Sequence, residues 1–135
     1  MQESEILEKV LVLRKRAEME KGELTQLAAE IEGIKEAARS MEKAGISTPG
    51  AMAEMERAIK AGQEQAARAA AALKEYENTK AAALAIIAAI NDPLAAEVVR
   101  RRYILGQSWQ EIQAATNYGM TRLFTARRKA LKEME

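Results

Sequence analysis

The chain has 135 residues, of which 48% are apolar but only 4% aromatic, and its charges nearly cancel to a net +1. It contains no cysteine and no histidine, which excludes disulfides, Cys/His zinc sites, cysteine nucleophiles and histidine-based proton transfer. A core made of Ala, Leu, Ile, Val and Met, without strand-like runs of β-branched and aromatic residues, predicts an all-α fold.

The first predicted element is a long helix that ends at Gly45. Apolar residues recur along it at alternating steps of three and four, with Glu20 as the one polar member, which is a heptad seam of about five repeats. The seam consists of Ile6, Val10, Leu13, Ala17, Leu24, Leu27, Ile31, Ile34, Ala38 and Met41. The positions beside the seam are rich in Glu, Lys and Arg, as expected of a solvated helix face.

A turn is predicted at residues 45–50, where the heptad pattern stops. Gly45 can cap the first helix in a left-handed conformation. Ser47 or Thr48 can N-cap the next helix, with Pro49 in its first turn, where a missing N–H costs little. The chain is therefore expected to reverse direction here.

A second seam with the same spacing follows the turn. It consists of Met52, Met55, Ile59, Gly62, Ala66, Ala69, Leu73, Tyr76, Lys80, Ala83, Ile87 and Ile90. Two matching seams predict an antiparallel, coiled-coil-like hairpin over residues 1–90, about 60 Å long at ~1.5 Å per residue. Its small residues, Gly62, Ala66 and Ala69, would let the two backbones approach closely. One very long helix, whose seams are covered by a second chain, is the alternative.

The C-terminal part of the chain is predicted to be a separate domain over residues 80–135 that shares the end of the second helix. Residues 81–90 are apolar around nearly the whole helix, so we expect the residues after 90 to cover them. Asp92 and Pro93 should start a new helix as its N-cap and first residue, and Gly106 should end it. The predicted buried residues of this helix are Leu94, Val98, Tyr103 and Leu105.

Two more helices are predicted after Gly106. Ser108 and Glu111 have the spacing of a capping box, and Trp109, Ile112 and Ala115 would form the apolar face of the short helix that follows. Asn117 can adopt the positive φ that a tight turn requires. A final helix runs from about Met120 to Met134. Short helices, a tight turn and a last helix predict a helix-turn-helix, whose last helix enters the major groove of DNA.

The final helix is expected to have a buried face and a basic face. Leu123, Ala130 and Met134 point to the core, whereas Thr121, Thr125, Arg128 and Lys132 point outward, with Arg122, Phe124 and Lys129 on the shoulders. Residues 119–132 hold five basic side chains and no acidic one. Residues 91–135 hold 8 basic and 5 acidic groups, against 13 and 15 in residues 1–90. The predicted DNA-binding residues are Ser108, Thr121, Arg122, Phe124, Thr125, Arg128, Lys129 and Lys132. Basic residues that merely complement the helix dipole are the alternative.

The segment from Arg102 to Ile112, RYILGQSWQEI, resembles region four of bacterial sigma factors, which contacts a promoter element upstream of the start site. Residues 118–131, which end in Arg-Lys-Ala-Leu, are similar to the recognition helix of that module. The long helical N-terminal segment and Trp109 look closer to phage-encoded sigma-like regulators of the ArpU and RinA type. The resemblance covers residues 87–135. This chain departs from the pattern at Gln113, where two helices should touch, and at Gly119, which supplies no side-chain cap.

These patterns predict a DNA-binding protein rather than an enzyme, since the sequence offers no catalytic carboxylate pair, phosphate loop or nucleophile with a base. The resemblance implies that it is a transcription regulator of phage type. No cofactor or metal is expected. The expected partners are double-stranded DNA and, through the hairpin, either a second copy or another docking partner, and the resemblance adds RNA polymerase. With no signal peptide or membrane span apparent, the expected location is the cytoplasm of a bacterial host. A small terminase-like DNA-packaging subunit and a module that only contacts RNA polymerase or another protein stay open.

Overall fold

The computed structural model describes residues 2–46 and 49–134, which form helices and no strand. In order, these are α1 (Glu3–Lys43), α2 (Pro49–Ala88), α3 (Pro93–Val99), α4 (Trp109–Thr116) and α5 (Met120–Glu133), with a π-helical turn (Arg100–Ile104) that continues α3. The all-α prediction is confirmed, and so is the packing of two long helices against each other. The predicted N-cap at Ser47 or Thr48 lies outside the described residues.

The chain divides into two compact units. One, the hairpin unit, is Arg16–Leu73, and the other, the terminal unit, combines Met1–Lys15 with Lys74–Glu135. Both long helices contribute to each unit. The first four turns of α1 thus belong to the same unit as α3, α4 and α5, which the sequence pattern did not indicate.

In the hairpin unit, α1 and α2 run antiparallel. Glu20 of α1 contacts Gln65 of α2, and further along α1 the side chain of Ile31 lies against Gly62, which precedes Gln65 on α2. The predicted seam of α1 is largely confirmed here, since Ala17, Glu20, Leu24, Leu27, Ile31, Ile34 and Ala38 are all half-buried, but it is wrong at Met41, which is 38% exposed. Gly45 ends the turn after α1 with φ of 75°, the left-handed conformation expected of it.

The predicted seam of α2 is correct at nine of its twelve positions, which are at least partly buried. Met52, Ala66 and Leu73 are exposed, and the buried positions near the last two are Gln65 and Ala72, one residue earlier. The cause lies in the composition, because residues 66–72 are alanines apart from Arg68 and give little contrast between helix faces. The displacement by one residue is confined to these two positions, since Ile59, Ala83 and Ile87 are at least partly buried as predicted.

A buried polar contact joins the two helices of the hairpin unit. Gln65 is 3% exposed, and its Nε2 donates to Glu20 Oε2 at 2.6 Å and to the Glu20 carbonyl at 3.0 Å. Arg68 Nε and Nη2 donate to Gln65 Oε1 at 3.1 and 2.8 Å, so every polar atom of the amide group has a partner. The polar residue that interrupts the first seam is therefore matched by a polar residue on α2, which favours one register of pairing.

Three glycines inside the long helices should respond differently to alanine. A Cβ at Gly22 or Gly33 meets nothing within 4 Å, whereas a Cβ at Gly62 would lie 2.6 Å from Ile31 Cδ1. Alanine should therefore stabilise the protein by about 0.5–1 kcal/mol at Gly22 or Gly33 through helix propensity. At Gly62 the displacement of Ile31 should offset that gain. Thermal unfolding of the three variants tests this, and an equal gain at Gly62 would contradict the close approach.

The terminal unit has one apolar core to which every one of its helices contributes. Leu7 and Val10 of α1 lie in the same buried cluster as Ile87 of α2, Val98 of α3, Ile112 of α4 and Leu123 of α5. The expectation that residues after 90 cover the end of α2 holds for Ala83 and Ile87. It is wrong for Leu84, which is 42% exposed, and for the neighbouring alanines Ala81, Ala82, Ala85, Ala88 and Ala89.

The π-helical turn changes which residue is buried before Gly106. Leu105 was expected in the core but is exposed, while Ile104 is buried. In the turn, the Leu105 N–H donates to the Arg100 carbonyl at 3.1 Å, five residues back. The turn holds one residue more than an α-helical turn, which rotates the following side chains by about 100° from the expected face. Leu94 is half-buried, and Val98 and Tyr103 are buried as predicted.

Candidate nucleic-acid interface

Helices α4 and α5 begin and end close to the residues that were predicted from their capping residues. Ser108 caps α4 by accepting from the Glu111 N–H at 3.2 Å, and Glu111 Oε1 accepts in return from the Ser108 N–H at 3.4 Å. Asn117 follows α4 with φ of 62°, and Gly119 precedes α5 without a side-chain cap. The three residues 117–119 thus join the two helices in a tight turn.

Helix α5 separates its side chains as expected. Leu123 and Ala130 are buried, together with Ala126, and Met134 is half-buried beyond its end. The outward residues are all exposed: Thr121, Arg122, Thr125, Arg128, Lys129 and Lys132. We call these six side chains the basic face. Four of the six are cationic, so the face presents positive charge to solvent along most of the helix.

Helix α4 contributes less to the core than its sequence predicted. Ile112 is fully buried, but Ala115 is exposed, and so is Gln113, which was expected where two helices touch. The polar side chain of Gln113 therefore needs no accommodation between helices. Burial of α4 depends mainly on Ile112, which lies in the same cluster as Leu123 of α5.

Two side chains near the start of the basic face are already oriented by their neighbours. The Arg122 guanidinium lies 4.3 Å from the ring centre of Tyr118, a cation–π contact that limits the rotation of a long side chain. Thr125 Oγ1 donates to the Thr121 carbonyl at 2.8 Å. Thr125 therefore presents its methyl group and oxygen lone pairs outward, and it would act as an acceptor or apolar contact. The sequence analysis assigned no role to Tyr118, which lies in the turn before α5, where helical spacing gives no signal.

Lys129 has an acidic partner within the terminal unit. Its Nζ lies 3.3 Å from Asp92 Oδ2, while Asp92 Oδ1 accepts from the Leu94 N–H and caps α3. The lysine side chain is more than half exposed, and ion pairs of that kind contribute little to stability. Lys129 can consequently exchange Asp92 for another anion at small cost.

Phe124 and Trp109 form an aromatic pair at the edge of the basic face. Their ring centres are 4.7 Å apart at 68°, an edge-to-face arrangement between α5 and the first residue of α4. The Arg102 guanidinium lies over the Trp109 ring, 5.4 Å from its centre. The Nη1 atom of Arg102 donates to the Gln107 carbonyl at 3.0 Å. Phe124 still exposes 41% of its surface, so it packs and also offers an apolar contact. Ser108, which precedes Trp109, is half-buried beside this pair.

The other two arginines of the Arg100–Arg102 run are paired within α3 and its π-helical turn. Arg100 Nη2 lies 3.1 Å and Arg101 Nε 2.6 Å from Glu97 Oε1. The hydrogen bond from Arg100 lowers the pKa of Glu97 below its usual 4.5, and Arg101 adds to the effect. Glu97 thus offsets part of the positive charge of Arg100 and Arg101.

No cluster of three or more potential metal-binding side chains occurs in residues 2–46 and 49–134. None of the helices described is long and apolar enough to cross a membrane. Comparison of the chain with models of known families, with curated proteins and with solved structures finds no match in any of the three.

Proposed function

We propose that this protein is a phage-type transcription regulator that binds double-stranded DNA by inserting α5 into the major groove as the second helix of a helix-turn-helix. The observation that carries the proposal is the basic face, because all six of its side chains are exposed on a helix whose opposite side is buried. A helix held by one side on a folded unit, with cations on the other, fits the groove of a polyanion.

Within this proposal the side chains have different tasks. Arg122, Arg128, Lys129 and Lys132 hold phosphates, together with Ser108 and the first-turn N–H groups of α5, which Gly119 leaves without a side-chain cap. Thr121, Thr125 and Arg128 contact base edges, and the exposed edge of Phe124 contacts a thymine methyl.

A second part of the proposal is that two copies associate through the hairpin unit. Met19, Ile46, Met52 and Leu73 of this unit are each at least half exposed. Exposed apolar side chains of this size contribute favourable free energy when a second chain covers them. A dimer would also present two copies of α5 to two half-sites, which is how helix-turn-helix proteins commonly gain specificity.

Selection of bound sequences from a random pool of duplexes, with the full chain at low salt, tests the proposal. We expect an enriched motif, a gel shift with the selected duplex, and the mass of a dimer by light scattering. Absence of any shift would reject DNA binding and favour a module that contacts RNA polymerase or another protein. A ring-sized mass would favour a DNA-packaging subunit.

A further inference from the structure

A buried tyrosine links the first helix of the chain to the last. Tyr103 lies on the π-helical turn and is 2% exposed. Its hydroxyl oxygen accepts from Arg127 Nε at 3.0 Å, and its O–H donates to Glu8 Oε1 at 3.1 Å. Arg127 Nη2 also lies 3.7 Å from the same Glu8 oxygen. All three residues belong to the terminal unit.

The fully buried side chains of α5 are few, and most of them are small. Leu123 projects into the core, Ala126 and Ala130 present a nearly smooth surface, and Met120 and Leu131 pack against the core only in part. Rotation by one residue, about 100° on an α-helix, would carry Arg128 towards the position that Arg127 now holds. The six side chains of the basic face would then no longer all point towards solvent.

Arg127 adds a directional contact to this packing. It follows Ala126 on the flank of α5, between the buried side and the basic face, and its hydrogen bond to Tyr103 has a defined donor and acceptor geometry. Burial raises the pKa of Tyr103 above its usual 10.0, so the phenol keeps its proton and continues to donate to Glu8.

We infer that Glu8 and Tyr103 are positioning residues that fix the rotation of α5 through Arg127, so that the N-terminal turns of α1 help to determine DNA specificity. The inference rests on the proposed function, and none of these side chains needs to touch DNA. The Glu8 and Arg127 side chains are partly exposed, which makes their contribution to stability small. Their effect should appear in how well one sequence is distinguished from another.

The affinity of each variant for the selected duplex and for a scrambled duplex of the same length tests the inference. Glu8→Ala and Tyr103→Phe should lower the ratio of the two affinities about tenfold, comparable to one mismatched base pair, while affinity for the scrambled duplex stays the same or rises. Glu8→Gln keeps an acceptor for Tyr103 and should retain most of the ratio. Glu75→Ala is the matched control, because Glu75 pairs with Lys9 of α1 at 4.0 Å but has no contact with α5 among those described.

Hydrogen exchange of the free protein separates failure of this inference from failure of the proposed function. Glu8→Ala should speed amide exchange in α5 several-fold, and Glu75→Ala should not. If the wild type binds no duplex but this exchange result is obtained, DNA binding is rejected and the positioning of α5 stands. If exchange in α5 and the affinity ratio both match the wild type, Glu8 has no positioning role.

Discussion

Replacement of Arg128 and Lys132 together by alanine should weaken binding to every duplex and flatten its dependence on salt. Both side chains are exposed on the basic face, and neither is buried against another element. Each phosphate contact contributes a slope of about −0.9 to the logarithmic plot of affinity against salt, so two lost contacts should reduce the slope by about 1.8. At about 0.1 M salt this corresponds to a roughly 60-fold loss of affinity. Fluorescence anisotropy over a series of salt concentrations measures both quantities.

Arg57→Ala combined with Lys60→Ala provides the matched control for charge. Both residues are exposed on α2 in the hairpin unit, so the pair removes the same two positive charges from another surface. Its affinity and salt slope should stay close to those of the wild type. Unchanged binding of the Arg128 and Lys132 variant to all duplexes at low salt would show that DNA, if bound, does not contact this face.

Truncation of Leu123 to alanine should cost about 2–5 kcal/mol of unfolding free energy, because it leaves a cavity that its neighbours fill only in part. Leu123 is fully buried on α5 and lies in one cluster with Ile112, the main buried residue of α4. The melting temperature should fall by about 10 °C or more. Thermal unfolding followed by circular dichroism checks the result, and affinity for DNA should fall with it as the two helices separate.

Leu84→Ala is the matched control, because it removes the same side-chain atoms from a helix position that is exposed. Leu84 belongs to the same unit but is 42% exposed, so its truncation should change stability by less than about 1 kcal/mol. Equal destabilisation by the two substitutions would mean that α5 is not anchored through Leu123.

The helix ends and the exposure of the basic face were predictable from the sequence because short-range rules govern them. Asp92 caps α3, Ser108 and Glu111 cap each other, and Asn117 adopts a positive φ, and each of these depends on residues no more than three positions away. The face of α5 follows from a period of 3.6 residues and from strong contrast between Leu or Ala and the cations. DNA binding and the resemblance to sigma-like regulators remain predictions.

Features that depend on distant partners could not be predicted in the same way. The π-helical turn replaces Leu105 by Ile104 in the core, and no local residue pattern distinguishes the two. The buried positions Gln65 and Ala72 could not be identified in the alanine-rich part of α2, because several helix faces there are equally apolar. The assignment of Leu7 and Val10 to the core of the terminal unit depends on residues at the far end of the chain.

The terminal unit consists of two separate stretches of sequence, so its core cannot be complete until both have been synthesised. The hairpin unit is a continuous stretch, Arg16–Leu73, so all of its residues are synthesised before α3, α4 and α5. Its antiparallel pairing brings the chain positions before 16 and after 73 together, which removes most of the entropy cost of joining them. The last helix then completes a core whose first part, Leu7 and Val10, was made earliest. A fragment that starts at Lys74 would lack both side chains and leave their apolar neighbours open to water.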